Sequence, residues 1–252
     1  MKTCYFTATG NSLYVARRIG GEALSIPKLM REDRIEIEDD VVGIVCPIYG
    51  GQMPKMVVAF LGKARIKADY VFIVYTYGTS YSIAKPNAAM AAGKVKLRLD
   101  YVNAVRMVDN FVPLFEIQHQ IDTAGGKHIE EQIDKVRRDI TDRVKNVRKV
   151  GAAKRVGLSM LNGMIKGGLL RGKAARKYKV NDACTRCGLC ARVCPADNIT
   201  VDSRVHFADK CEVCYACVHI CPKNAIHLNF EKSSARFRNE HVSVKDIIDA
   251  NE

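Results

Sequence analysis

One stretch constrains this chain more than any other: Cys184, Cys187, Cys190 and Cys194-Pro195, followed by Cys211, Cys214, Cys217 and Cys221-Pro222. The same phrase occurs twice, displaced by 211 − 184 = 27 residues, so the segment is an internal duplication and whatever it builds has approximate twofold symmetry. Thiolates are soft, charge-donating ligands, and three of them at i, i+3 and i+6 on one tight turn can hold three irons of a cubane cluster; the fourth ligand has to come from elsewhere. Cysteines used as core filler do not repeat. A disulfide framework needs an oxidising compartment, and zinc ribbons use isolated, well-separated C-x-x-C pairs, whereas here four thiols crowd into eleven positions.

The segment closely resembles the bacterial pattern of two-cluster ferredoxins. That resemblance implies two 4Fe-4S clusters with crossed ligation, the Cys before each Pro serving the other cluster. One cluster then takes Cys184, Cys187, Cys190 and Cys221; the second takes Cys211, Cys214, Cys217 and Cys194. The expected domain is small and α+β, over 177–232, with a hairpin of Asn198–Val201 and Arg204–Phe207 between the repeats. Ile199, Val201, Ile220 and Ile226 are available to exclude water from the clusters. His219 reads as a surface residue and not a ligand.

The amino-terminal half has another rhythm. An apolar run, Lys2 to Phe6, leads through Thr7-Ala8-Thr9-Gly10-Asn11-Ser12 into helical spacing from Leu13 to Ile19. A hydroxyl-rich loop at a helix N-terminus offers N–H groups and a favourable dipole to a phosphate dianion; the bland alternative is an ordinary turn with Asn11 or Ser12 as N-cap. The pattern T-x-T-G-N-S resembles the phosphate loop of flavodoxins. By that resemblance Thr7, Thr9, Asn11 and Ser12 bond an FMN phosphate and Gly10 lets the backbone approach it. Apolar runs at 40–48 and 70–76 read as buried parallel strands, ending in Pro47-Ile48-Tyr49-Gly50-Gly51 and Thr76-Tyr77-Gly78. Helical patterns follow, Pro54 to Lys63 and Ser82 to Ala92, so both loops fall at carboxyl ends of strands, where doubly wound sheets bind ligands. In flavodoxins the corresponding loops sandwich the isoalloxazine; without Trp, Tyr49, Tyr77 and Tyr81 are the stackers available. A further strand is expected at Tyr101–Val108, then an irregular stretch to Phe115, resembling a loop of flavodoxin domains fused to ferredoxins in anaerobic microbes. A long helix from about Gly126 to Val150 is expected to close a flavodoxin-like, five-stranded parallel domain over 1–150. Cys4 and Cys46 read as buried thiols.

Between the two halves, Arg148 to Lys179 holds ten Lys or Arg and no acid. It reads as a basic, apolar linker over 151–176, packing on the first domain or docking an acidic partner protein. Weak membrane-surface contact is a further reading. A basic stripe also fits nucleic acid, but no nucleic-acid module accompanies it. The tail, 233–252, ends in a helical pattern, Val242 to Ala250. A length of 252 residues and 48% hydrophobic content suit two domains. The absence of a charged n-region ahead of Lys2, and of any apolar run long enough to span a membrane, points to a cytoplasmic setting. The net charge of +13 is unusual for a small electron carrier.

Nearly the whole chain resembles the flavodoxin/ferredoxin fusion proteins, iron-sulfur flavoproteins in the broad sense. The family implies FMN, two 4Fe-4S clusters and redox partner proteins, with a homodimer as a second way of bringing flavin and cluster together. A carrier without its own substrate is favoured over an FMN oxidoreductase acting on a quinone, a nicotinamide cofactor or another metabolite, because the flavin loops offer no His, Asp or Glu. No catalytic residue is assigned.

Overall fold

The computed structural model describes residues 1–81, 83–147, 150–168 and 177–252, with 164–168 described by backbone alone. In chain order the elements are β1 (Lys2–Tyr5), α1 (Asn11–Ile19), β2 (Glu22–Ser25), α2 (Ile26–Leu29), β3 (Glu36–Glu38), β4 (Val41–Pro47), α3 (Lys55–Lys63), β5 (Arg65–Lys67), β6 (Tyr70–Tyr77), α4 (Ala84–Lys94), β7 (Tyr101–Arg106), α5 (Ile117–Asp122) and α6 (Ile129–Thr141). Then come α7 (Ala152–Gly168), β8 (Tyr178–Val180), α8 (Leu189–Arg192), β9 (Ile199–Val201), β10 (Val205–Phe207), α9 (Ala216–Ile220), β11 (Ile226–Leu228) and α10 (Val244–Asn251).

Strand pleating decides how the first half packs. On β6, Tyr70, Phe72 and Val74 face one core with α1 and α6, while Val71, Ile73 and Tyr75 face the other with α3 and α4. A strand buried on both faces needs no polar alternation, which is why 70–76 reads as an unbroken apolar run. Five strands pair in parallel in the order β2-β1-β4-β6-β7, with β2 a partly exposed edge. This is the flavodoxin-like doubly wound order, whose switch point lies between β1 and β4.

The second half is small. Antiparallel β9 and β10 form the hairpin between the cysteine repeats, and β8 pairs with β11. Its core is shared with the first half: Val108, Val112 and Ile117 pack among Tyr178, Val213, Tyr215, Cys217 and Ile226. The C-terminal helix returns to the first half and ties both together. Arg17 meets Asp246 at 2.5 Å, Ser25 donates to the Ala250 carbonyl, and Asn251 donates to the Val193 carbonyl at 3.0 Å.

Two expectations change here. The long helix ends at Thr141, not near Val150. Beyond it Arg143 takes φ 51, and Asn146 bonds along the open edge of β7, accepting from Val102 N at 2.9 Å and donating to Val102 O at 3.0 Å. Edge groups that need partners outcompete continued helix. The basic linker contains helix α7, with Leu158 buried and Val156 and Met160 exposed. Its Asn162 exchanges bonds with Asn87, at 2.9 and 3.2 Å, so it is fastened to α4. Residues 169–176 and Ser82, named above as linker and helix start, lie outside the described residues. Among the described residues no helix is long and apolar enough to cross a membrane.

Candidate flavin cleft and cluster cavities

At the carboxyl ends of β1, β4 and β6 the three loops meet in one cleft. It is lined by Thr7, Thr9, Asn11 and Ser12, by Pro47, Tyr49, Gly50 and Gly51, and by Thr76, Tyr77 and Gly78. Gly10 lies behind this wall. Its φ is +101, and a Cβ there would sit 2.9 Å from Val242 Cβ and 3.0 Å from Asn239 Cβ. The glycine is therefore required by the returning tail as well as by the turn.

Helix α1 begins at Gly10 with no side-chain cap and no acid in its first turn. The N-cap role considered for Asn11 or Ser12 is not taken: Ser12 Oγ and Thr76 Oγ1 are 2.8 Å apart across the cleft floor, and Asn11 donates to the Val108 carbonyl at 3.2 Å. Among the described residues no Lys, Arg or His lines the cleft, so what these residues offer an anion is hydroxyls, N–H groups and the helix dipole. Tyr49 and Gln52 exchange backbone bonds across Gly50-Gly51, at 2.9 and 3.1 Å, closing a two-residue turn that needs the positive φ of both glycines. Tyr77 stands at the rim with its ring 4.9 Å from that of Tyr81; Tyr81 itself is exposed and outside the cleft.

The irregular stretch after β7 forms a fourth wall, Val108 to Phe111 with Phe115. It brings in the carboxyl that the loop sequences lack. Asp109 Oδ2 accepts from Thr79 Oγ1 at 2.9 Å and Oδ1 from Phe111 N at 3.1 Å, and burial pushes its pKa up. The expectation of a cleft without His, Asp or Glu is thus overturned. Asp109 lies some thirty positions from its neighbours Gly78 and Thr79, and only strand pairing joins them. The fifth wall belongs to the other half of the chain: Val213, Cys214 and Tyr215.

The eight cysteines divide between two small cavities, each of about 20 Å³. Cys194 shares one with Cys211, Cys214 and Cys217; Cys221 shares the other with Cys184, Cys187 and Cys190. The α8–α9 packing that follows from the duplication carries each Cys-Pro end across to the opposite triplet. Among the described residues no three His, Cys, Asp or Glu side chains converge on a single metal ion. Backbone N–H groups of Asn198, Val213 and Ala225 reach Cys194, Cys211 and Cys221 sulfurs at 3.3–3.4 Å. Burial pushes the Cys190 thiol up to about 11 and those of Cys214 and Cys217 well beyond the ordinary range; iron is what holds thiolates charged in such surroundings. The two cavities differ in cover. Cys194, Cys211 and Cys217 are buried, whereas Cys187 is exposed. Cys4 and Cys46, on strands of the sheet, are buried with raised pKa values.

His219 corrects a further expectation, for it is buried. Its Nε2–H donates to the Asn110 carbonyl at 2.8 Å and its Nδ1 accepts from Phe237 N at 3.1 Å. One ring thereby joins the cluster helix, the cleft wall and the tail. Glu212 accepts from the backbone N–H groups of Lys55 and Met56, serving the start of α3 that Pro54 leaves without a side-chain cap.

Residues 176–222 match the family model of the 4Fe-4S dicluster domain, and this segment carries two 4Fe-4S clusters. No curated protein matches the chain. Similar solved structures include a candidate flavoprotein from Bacteroides uniformis ATCC 8492 (16% identity, 41% of this chain and 88% of that one, TM-score 0.35). Another is a candidate flavoprotein from Bacteroides eggerthii DSM 20697 (21% identity, 49% and 96%, TM-score 0.29). A third is an archaeal flavodoxin (14% identity, 53% and 99%, TM-score 0.28). Likenesses this loose add nothing to the strand order, on which the fold rests.

Proposed function

We propose that the protein is an electron relay in which FMN occupies the cleft and passes electrons to and from the two clusters. The carrying observation is that Cys214 and Tyr215 line the cleft on one side and a cluster cavity on the other. Bound FMN supplies chemistry in electron pairs that can be split into the single electrons each cluster carries. Thr7, Thr9, Asn11 and Ser12, with the open N-terminus of α1, hold its phosphate; the Tyr49-Gly50-Gly51 and Thr76-Tyr77-Gly78 loops flank its ring. Cys211, Cys214, Cys217 and Cys194 ligate the cluster next to the cleft, and Cys184, Cys187, Cys190 and Cys221 ligate the outer one. The outer cluster exchanges electrons with a partner protein, since its Cys187 is the exposed thiol and Arg186 and Lys223 flank its cavity. Those cations and the net charge of +13 favour an acidic partner.

The test is rapid anaerobic reduction with a one-electron donor. Cluster bleaching should precede flavin reduction, with the second step independent of protein concentration and lost when the clusters are removed. Flavin reduction that scales with protein concentration and survives cluster removal would sink the relay. One observation favours a second reading, an FMN oxidoreductase with a small-molecule substrate: the Asp109 carboxyl supplies the cleft with an acid/base group. Flavin bleaching by NADH or NADPH alone, under anaerobic conditions, would select that reading.

A further inference from the structure

Among the described residues Asp109 is the one carboxyl lining the cleft, and no Lys, Arg or His lines it. Its position is built. The carboxyl presses against the backbone of Gly78, where a Cβ would lie 2.1 Å from its Oδ2 and 2.2 Å from its Cγ. Thr79 Oγ1 donates to one oxygen and Phe111 N to the other, which fixes the plane of the group. Among the described residues the charged groups near it come from two directions, and neither forms an ion pair with it. From the η-turn before α6, Lys127 is buried and spends its Nζ on the Met107 carbonyl at 3.0 Å and Gln120 Oε1 at 3.1 Å. From β7, Arg106 gives its Nε to the Gly78 carbonyl at 3.2 Å. From the cluster half, Cys214 and Tyr215 line the same cleft, the Tyr215 ring packing against Phe111 at 5.6 Å.

An isoalloxazine that gains an electron also takes up a proton at a ring nitrogen, and a cluster carries no proton to give. We infer that Asp109 is the proton donor and acceptor of the cleft, coupling electron transfer through the Cys214 cluster to protonation of the flavin. On flavin reduction the cluster is oxidised by one electron, the Asp109 O–H bond breaks and a flavin N–H bond forms. The carboxylate then regains its proton from water at the cleft mouth; on oxidation each step reverses. The raised pKa of Asp109 agrees with a carboxyl that can hold a proton. Asp109 thus rests on the FMN reading of the cleft and adds to it the route of the proton.

The experiment uses the full chain with clusters and FMN in place. Flavin midpoint potentials are measured by spectroelectrochemistry between about pH 5 and 9, and redox-difference infrared spectra are recorded alongside. The native protein should show a break in the potential–pH profile and a carboxyl C=O band that appears or vanishes with flavin redox state. Asp109→Asn should lose both and slow flavin reduction by on the order of 100-fold, with cluster reduction unchanged; Asp109→Glu should restore the break. A break and band that persist in Asp109→Asn would overturn the inference. So would release of FMN from Asp109→Asn alone, which would make Asp109 a binding residue. Absence of FMN from the native protein would instead overturn the reading of the cleft.

Discussion

Cys194 and Gly10 show how far a single residue's role depends on distant chain. Cys194 is four residues from Cys190 but lines the cavity of Cys211, Cys214 and Cys217. Cys194→Ala should therefore abolish the EPR signal of the inner cluster and leave the outer one intact; loss confined to the outer signal would refute crossed ligation. At Gly10 the obstacle to a side chain is Val242 and Asn239 of the returning tail, in addition to φ +101. Gly10→Val should cost at least about 1–3 kcal/mol from backbone strain, undock the tail and lower FMN content, with both clusters retained. Calorimetry and flavin release read these outcomes; unchanged Tm and flavin content would contradict them. The phosphate-loop pattern was legible because strand, loop and helix are contiguous. The tail's claim on Gly10 was not, because it comes from residues over two hundred positions away.

At the scale of elements, α10 is held by a capping box, Ser243 with Asp246, and by the Arg17–Asp246 pair. These hold the Asp246 carboxyl well below the usual carboxylate range, the bond to Arg17 first. A depressed folded-state pKa means that the contribution is present above the unfolded value of about 3.8–3.9 and is lost as pH falls through the folded one. Hydrogen exchange in α10 should accordingly accelerate below about pH 4 before exchange in β4 or β6 does. In Asp246→Asn it should be faster at neutral pH, and a native-like rate there would count against the pair. The start of α6 and the strands β1, β4, β6 and β7 were legible as apolar patterns; β2 was not, since Glu22 and Ala23 are exposed at the sheet edge. Nor was the end of α6, because Asn146 answers to the edge of β7 and not to its own helical face.

For the whole molecule, the relay requires the halves to be docked. They share a core through Val108, Val112 and Ile117, and His219 bonds to Asn110 and Phe237. On the proposed relay, an acidic partner would meet the outer cluster from solution. Its electron-transfer rate should fall steeply as the Debye length shortens from about 30 Å at 0.01 M salt to about 8 Å at 0.15 M. The flavin–cluster step inside the chain should stay flat over the same range, because buried contacts are screened little. A flat profile for the partner reaction would remove the electrostatic account of docking.

The cysteine duplication by itself determined that this chain carries a two-cluster segment, because ligand type and spacing are local and the repeat enforces symmetry. Unbroken apolar runs ending in glycine loops likewise determined a parallel sheet, since strands buried on both faces leave that mark. Only the tertiary structure decided that the flavin loops and the inner cluster cavity share Cys214 and Tyr215. It alone put Asp109 beside Gly78 and buried His219 between three segments. The physical reason is common to all three. Each depends on segments far apart in sequence being brought together, by the β6–β7 pairing for Asp109 and across the shared core of the two halves for the others, and such contacts carry no periodicity of their own.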